Sequence, residues 1–184
     1  MAALEHFSAT YPDARAKFLA ALAAAGGAHL AAHENPRRGP AGEALYTDIA
    51  RIGPADARKL LILVSGTHGI EGYAGSGCHA GWLAAGLFRR QAGPETAVLF
   101  IHAINPFGFA WARRTNEHNV DLNRNFIDWR QQPPADHPLS AAAQKTLLPE
   151  EWSWPNKDMV FFLLRHGFNK SAASLTQGNY NTPD

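Results

Sequence analysis

The sequence predicts an α/β fold in which a mixed sheet carries helices on both faces. Two short, continuous apolar runs indicate strands at Lys59–Ser65 and Thr96–His102, and a helical pattern lies between them at Glu71–Arg90. Continuous apolar runs of this length are typical of central strands that are covered on both faces. A strand, a long helix and a second strand in this order indicate a βαβ unit with parallel strands.

Capping residues, chain breakers and alternation define the other predicted elements. A helix is predicted from Ser8 to Ala25, because Ser8 or Thr10 can cap its first turn and Gly26 follows its last. The remaining predictions are a turn region at Glu34–Gly42, a strand at Ala44–Ile52, a polar, aromatic and turn-rich segment at Asn105–Trp129, a loop at Gln131–Pro138, and helices at Lys157–Gly167 and Ser171–Gln177.

The composition indicates one soluble domain over residues 1–184, without a nucleic-acid or membrane partner. Hydrophobic residues make up 46% of the chain and charged residues 18%, which suits a folded domain with a buried core. The formal net charge of +1 gives no reason to expect binding to nucleic acid or to an anionic membrane. We see no secretory signal and no apolar run of about 18 residues, so we expect a cytoplasmic protein. The single cysteine, Cys78, excludes an internal disulfide and is expected to be a small buried residue.

A His-x-x-Glu pair, His68 and Glu71, follows the first apolar run. His68 follows the carboxyl end of the predicted strand, and Glu71 begins the next helix. Functional sites in open α/β sheets lie at the carboxyl ends of the strands. Imidazole nitrogen and carboxylate oxygen are both good zinc ligands, and residues three apart can point to one place. The pair alone is weak evidence, because an acid at a helix N-terminus and a loop histidine also occur for structural reasons.

A second segment, Trp111–Phe126, is rich in arginine and asparagine. Arginine binds carboxylates through two parallel hydrogen bonds, and asparagine adds a directed donor. Such residues near a zinc ion would suit an anionic substrate and a developing oxyanion. Without the first motif, the segment would be interpreted as a solvated loop with ordinary salt bridges.

Taken together, three segments resemble the M14 zinc carboxypeptidase superfamily. They are Thr67–Gly72, Asn105–Gly108 and Val120–Phe126, and the resemblance covers nearly the whole chain in order. The closest similarity is to the bacterial DUF2817 family, and the aspartoacylase and succinylglutamate desuccinylase group shares the same motifs. The resemblance implies a fold of the zinc-exopeptidase type, which is also described as phosphorylase/hydrolase-like.

The resemblance implies roles for four residues by direct correspondence. His68 and Glu71 match the first two zinc ligands of the superfamily. Asn123 and Arg124 match the pair that holds the terminal carboxylate of the substrate. The cofactor implied is therefore zinc, and the substrate implied is a peptide or small molecule with a free carboxylate.

The resemblance also implies an arginine that polarises the scissile carbonyl. Arg113 and Arg114 both lie where it should be, and Arg113 is the preferred candidate. The activity implied is hydrolysis of an amide bond next to a free carboxylate. Two alternatives remain open at this point: an N-acyl amino acid deacylase of the aspartoacylase type, and a non-catalytic or truncated remnant that keeps the fold as a binding module.

Two functional residues of the superfamily have no clear counterpart in the sequence. They are a third zinc ligand, a downstream histidine, and a glutamate near the end of the domain that acts as general base. The chain ends at Asp184, so we expect an N-terminal portion that is incomplete on its C-terminal side and inactive alone. An incomplete sheet with an open edge would favour association, although the sequence does not define the oligomeric state.

Four other histidines bear on the missing ligand. His102 is the best candidate within the chain for the third ligand, because it ends a strand beside the proposed site. His118 could meet substrate or solvent, His166 is expected to interact with a helix end, and His79 is expected to have a packing role.

Overall fold

The computed structural model describes residues 3–128, 130–131, 137–147 and 157–176. It divides into two compact units, Met1–Glu117 and His118–Asp184. Most of the segment predicted as a loop at Gln131–Pro138 lies outside the described residues. The expectation of a single domain over residues 1–184 stays a prediction.

A four-stranded mixed sheet forms the centre of the first unit. Its strands are β1 (His29–Arg38), β2 (Ala44–Ile52), β3 (Lys59–Val64) and β4 (Thr96–His102), in the spatial order β1-β2-β4-β3. β2 pairs antiparallel with both β1 and β4, whereas β3 and β4 are parallel. The predicted α/β class, the mixed sheet and the βαβ unit are therefore confirmed.

The helices begin and end close to the predicted positions, with three differences. They are α1 (Tyr11–Ala25), α2 (Gly69–Ala84), α3 (Leu87–Gln91), α4 (Pro106–Ala110), α5 (Ser140–Leu147), α6 (Lys157–His166) and α7 (Phe168–Thr176). The single helix predicted at Glu71–Arg90 is wrong, because Gly86 adopts a left-handed conformation with φ of 63° and separates α2 from α3. α5 was not predicted, since its small and polar residues give a weak apolar pattern. α4 was not predicted either, because its five residues are too few to show a helical period in the turn-rich segment Asn105–Trp129.

Strand β1 extends through a segment that was predicted as a turn. The predicted turn began at Glu34, yet the strand continues to Arg38. The pairing register with β2 shifts between Glu34 and Arg38. This irregularity accommodates Pro36, which lacks an N–H for a regular ladder, on an edge strand where proline is tolerated.

Strand β3 lies at the opposite edge of the sheet, and the prediction of a doubly covered central strand is wrong for the described residues. Leu60 and Ile62 are 54% and 51% exposed. Cys78 of α2, which lines a groove beside β3, is also exposed rather than buried. The apolar pattern correctly indicates a strand, but it does not determine which elements cover it.

Two apolar clusters hold the first unit together. One joins α1, α2 and α3 to one face of β2 and β4; its buried members are Phe18, Leu22, Ala50, Ile52, Leu83, Phe88, Val98 and Phe100. The other joins α1, β2 and α4; its buried members are Tyr11, Ala14, Leu45, Ala103 and Phe109. The second cluster reaches the chain after β4 and so supports the loops at the carboxyl end of the parallel strands.

The second unit contains helices α5, α6 and α7, which pack against one another. The Ser140 hydroxyl donates to the Ser174 carbonyl at 3.0 Å and links α5 to α7. Phe162 is the buried apolar residue of α6. Nowhere in the described part of the chain is a helix long and apolar enough to cross a membrane.

Candidate functional site

The loop that follows β3 is fixed by the loop that follows β4. The backbone N–H groups of Ile104 and Asn105 donate to the carbonyls of Ser65 and Gly66, at 3.0 and 3.1 Å. Gly66 has a φ of 70° and lies so close to Ala103 that a side chain would have no room. The two parallel strands therefore end in loops that are joined by backbone hydrogen bonds.

Asn105 strengthens this junction from a buried position. Its Nδ2 donates to the Thr67 carbonyl at 3.2 Å, and its Oδ1 accepts from the Gly108 N–H at 2.8 Å. One side chain thus caps the N-terminus of α4 and holds the residue that precedes His68. We did not identify Asn105 as functional from sequence, although an asparagine before a proline at a strand end signals a helix cap.

His68 and Glu71 lie side by side at the start of α2. His68 occupies the N-cap position, and Glu71 lies in the first turn. The His68 Nδ1 and Glu71 Oε1 atoms are 3.2 Å apart. The His68 side chain is largely buried, whereas 68% of the Glu71 side chain is exposed. The pair therefore combines a fixed imidazole with a carboxylate that solvent can reach.

The surroundings of Glu71 lower the pKa of its carboxyl group. The largest cause is the hydrogen bond from its own backbone N–H, and the next is the hydrogen bond with His68. The positive charge of Arg114 acts in the same direction. Glu71 is therefore a carboxylate at neutral pH, which is the form that binds a cation.

The segment that carries Arg113 and Arg114 lies against the first turn of α2. The Gly69 N–H donates to the Arg113 carbonyl, and the Arg113 N–H donates to the Gly108 carbonyl, both at 2.8 Å. A Cβ atom on Gly69 would collide with the Gly108 carbonyl oxygen, so only glycine permits this approach. The Arg113 guanidinium lies 5.8 Å from the centre of the Phe107 ring.

Asn123 and Arg124 lie in the second unit, on a short 3-10 turn at Leu122–Arg124. Asp121 caps this turn, because its Oδ1 accepts from the Asn123 N–H at 2.9 Å. Asp121 is buried, whereas the side chains of Asn123 and Arg124 are exposed. The structure brings His68 and Glu71 together with the Arg113–Arg114 segment, and it describes Asn123 and Arg124 within their own unit.

The pair of His68 and Glu71 fits half of a zinc coordination sphere. Zinc–ligand bonds of about 2.0–2.1 Å in tetrahedral geometry separate donor atoms by roughly 3.4 Å. The observed separation of 3.2 Å is close to that value. Among the residues that the structure describes, no group of three or more His, Cys, Asp or Glu side chains could hold a metal ion.

His102 does not supply a third ligand within the described part of the chain. Its ring lies in the core, stacked on Phe18 with the ring centres 4.4 Å apart. Its Nε2 atom is 2.8 Å from the Ser76 hydroxyl. His79 is buried beside it, in agreement with its predicted packing role. Alternation along β4 places the His102 side chain on the face that α1 and α2 cover.

The other two histidines named above, His118 and His166, lie in the second unit. His118 is exposed, in the segment rich in arginine and asparagine. His166 lies in the last turn of α6, where its ring centre is 4.7 Å from that of Phe162. Neither observation identifies a ligand, and the position of His166 agrees with the expected place at a helix end.

Comparison with known proteins identifies a family without an established function. The sequence profile described as "Protein of unknown function (DUF2817)" matches residues 7–184. No curated protein matches the sequence. Among solved structures, the chain is similar to the glutaminyl cyclase of Porphyromonas gingivalis, with 13% identity and a TM-score of 0.32. That similarity covers 58% of this chain, which spans 50% of the cyclase chain. Because the family profile covers nearly every residue, the chain belongs to the DUF2817 family.

Proposed function

We propose that this protein is a zinc-dependent hydrolase of the metallocarboxypeptidase type. The reaction proposed is hydrolysis of an amide bond next to a free carboxylate. The observation that carries the proposal is the 3.2 Å separation of His68 Nδ1 and Glu71 Oε1 at the end of a parallel strand. The sequence resemblance to the M14 zinc carboxypeptidase superfamily gives this pair its expected role.

In the proposed reaction, the residues of the chain bind zinc and orient the substrate. His68 and Glu71 would hold a zinc ion, which would supply a Lewis acid and lower the pKa of a water molecule. Asn105 keeps the loop in place through its hydrogen bond to the Thr67 carbonyl. The lowered pKa of Glu71 keeps its carboxylate charged for this purpose.

The arginines would recognise the negative charges of the substrate. Asn123 and Arg124 are proposed to bind the terminal carboxylate, by resemblance to the superfamily. Arg113 or Arg114 would donate to the scissile carbonyl as its oxygen becomes negative. Two observations bear on that choice: the Arg113 guanidinium lies 5.8 Å from the centre of the Phe107 ring, and the charge of Arg114 acts on Glu71.

With His68 and Glu71 as the protein ligands in the described part of the chain, we expect weak zinc binding and slow or no turnover. Two protein ligands leave a zinc site open, and structural zinc sites need four. The described residues supply no third side chain at this position. The proposal therefore separates zinc binding, which this chain can test, from catalysis.

The first test is a zinc titration of the chain by calorimetry. His68→Ala and Glu71→Gln should each weaken zinc binding by at least about tenfold, because each removes a ligand. His33→Ala is the matched control, since His33 is an exposed histidine of β1. Equal zinc affinity in all four proteins, with the fold intact by circular dichroism, would contradict the proposed metal site.

A further inference from the structure

The arginine loop, Trp111–Glu117, is bound through its backbone to the elements that carry the candidate site. The Gly69 N–H of α2 donates to the Arg113 carbonyl, and the Arg113 N–H donates to the Gly108 carbonyl, both at 2.8 Å. A Cβ atom on Gly108 would lie only 2.8 Å from the Thr115 carbonyl oxygen, so the loop also folds closely over α4. These contacts place the loop beside the proposed zinc ligands.

Both ends of the arginine loop are bound by the irregular end of β1. The Trp111 Nε1–H donates to the Arg38 carbonyl at 3.0 Å. The Asn35 Nδ2 donates to the Glu117 Oε1 atom at 2.9 Å. The two bonds join residues that are 73 and 82 positions apart in the chain. They therefore determine where the loop begins and ends relative to the sheet.

The side-chain amide of Asn35 is oriented by a turn within β1. Its Oδ1 accepts from the Arg37 N–H at 2.8 Å, which leaves its Nδ2 as the donor to Glu117. This turn lies where regular pairing with β2 stops, between Glu34 and Arg38. The irregular end of β1 thus replaces pairing in the sheet with contacts to the arginine loop.

The backbone between the two ends of the loop adopts a conformation that needs support. Ala112 has a φ of 50°, which is uncommon for a residue that carries a side chain. Such a conformation costs free energy and persists where contacts on both sides hold it. The indole of Trp111 supplies the contact before Ala112, and the N–H of Arg113 supplies the contact after it.

We propose that the irregular end of β1 positions the arginine loop for the proposed zinc site, with Asn35 and Trp111 as the positioning residues. Through the loop, these side chains hold the Arg113 carbonyl on the Gly69 N–H, and Gly69 lies between the two proposed ligands. The inference rests on the proposed function for its link to zinc, whereas the contacts themselves need no metal.

The first test is hydrogen exchange of the Gly69 amide in the whole chain, followed by NMR. Gly69 is the first residue of α2, and N–H groups of a first turn have no partner within their own helix. Protection of this amide therefore reports on its bond to the Arg113 carbonyl. The Ser65 amide, which donates to the Ile101 carbonyl, is the internal reference for the sheet.

Asn35→Asp should raise the exchange rate of the Gly69 amide by about tenfold and leave that of Ser65 unchanged. The reason is that it removes a hydrogen bond and places two carboxylates opposite each other. Adding Glu117→Gln should restore the wild-type rate, since the new amide then donates to the new carboxylate. Asn169→Asp, at an exposed asparagine of α7, makes the same change of charge and is the matched control.

Trp111→Phe tests the second contact and its link to zinc. It removes the donor to the Arg38 carbonyl, keeps a ring near Phe107 and leaves the net charge unchanged. The Gly69 amide should again exchange faster. Zinc binding, measured by calorimetry, should weaken by about threefold or more, because the backbone between the two proposed ligands is released.

Three results would overturn the proposal. One is a Gly69 exchange rate that neither Asn35→Asp nor Trp111→Phe raises. The second is a rate raised by Asn35→Asp that the addition of Glu117→Gln does not restore. The third is unchanged zinc affinity in Trp111→Phe although the Gly69 amide exchanges faster. A wild-type chain that binds no zinc, with the exchange rates as expected, would instead contradict the proposed metal site and support the positioning of the loop by β1.

Discussion

Histidines at three positions show how surroundings decide the chemistry of one residue type. His68 lies next to a carboxylate in a loop, where its ring can bind a cation. His79 and His102 lie in the aromatic core, where burial lowers the pKa of each to about 4. Their two Nδ1 atoms are buried and have no hydrogen-bond partner among the described residues. These two side chains are therefore kept neutral by the core and would resist becoming charged.

The two buried histidines predict a loss of stability in acid. Their folded pKa of about 4 lies below the ordinary value of 6.5, so the unfolded chain takes up protons first as pH falls. Their contribution is fully present above pH 6.5 and is lost as the pH falls toward 4. His79→Phe should reduce the difference in unfolding free energy between pH 7 and pH 4 by on the order of 2–3 kcal/mol.

Urea denaturation at the two pH values measures this difference. His33→Gln, at an exposed position of β1, provides the matched control and should behave as the wild type. An unchanged pH dependence in His79→Phe would show that another group causes the acid sensitivity.

At the scale of elements, the candidate site depends on contacts between loops rather than on one helix. β3 and β4 end side by side, and Asn105 connects the loop of His68 to the first turn of α4. Gly69 allows the Arg113 backbone to approach α2. The position of His68 therefore depends on residues about 35 to 45 positions later in the chain, which hold its loop through backbone hydrogen bonds.

Two substitutions of Asn105 separate its two roles. Asn105→Ser keeps an N-cap acceptor for the Gly108 N–H but loses the donor to the Thr67 carbonyl. Asn105→Ala loses both and should be less stable than the serine variant by about 1 kcal/mol. Both variants should weaken zinc binding by a similar factor of about ten, because both release the loop before His68.

Chemical denaturation and zinc titration of the two variants together provide the test. If zinc affinity follows stability and differs between serine and alanine, Asn105 acts through the fold as a whole and not through the Thr67 carbonyl.

At the scale of the whole molecule, the sheet and both apolar clusters lie in the first unit. Every buried member of the two clusters comes from residues 11–109. A buried ion pair strengthens the same unit, because the Arg15 guanidinium binds the fully buried Asp48 through two hydrogen bonds of 2.7 and 2.9 Å. The first unit therefore contains what an independent fold requires.

Residues 1–117 should accordingly fold alone. Their thermal unfolding should be cooperative by circular dichroism, and the fragment should retain the zinc affinity of the whole chain, since His68 and Glu71 are both present. The whole chain is the reference in each measurement. A fragment without a cooperative transition would show that the second unit is needed for the first to fold.

Much of the fold follows from local sequence. β2 and β4 begin and end at the predicted residues, and Thr10 caps α1 as expected, with its hydroxyl accepting from the Asp13 N–H. The separation of α2 from α3 was missed, because the apolar pattern continues across Gly86. The whole of β1 was missed: no strand was predicted before Glu34, and beyond it Pro36, which usually marks a turn, here occupies an edge strand.

The sequence by itself determined the α/β class, the βαβ unit and the residue pair at the end of β3. These three features depend on short-range patterns and on motif spacing, which can be recognised without knowledge of the packing. The tertiary structure decided that β3 lies at an edge and that His102 faces the core. It also decided that the Arg113 segment lies against the first turn of α2. Strand order, burial and loop contacts join residues that are distant in the chain, so no local pattern could determine them.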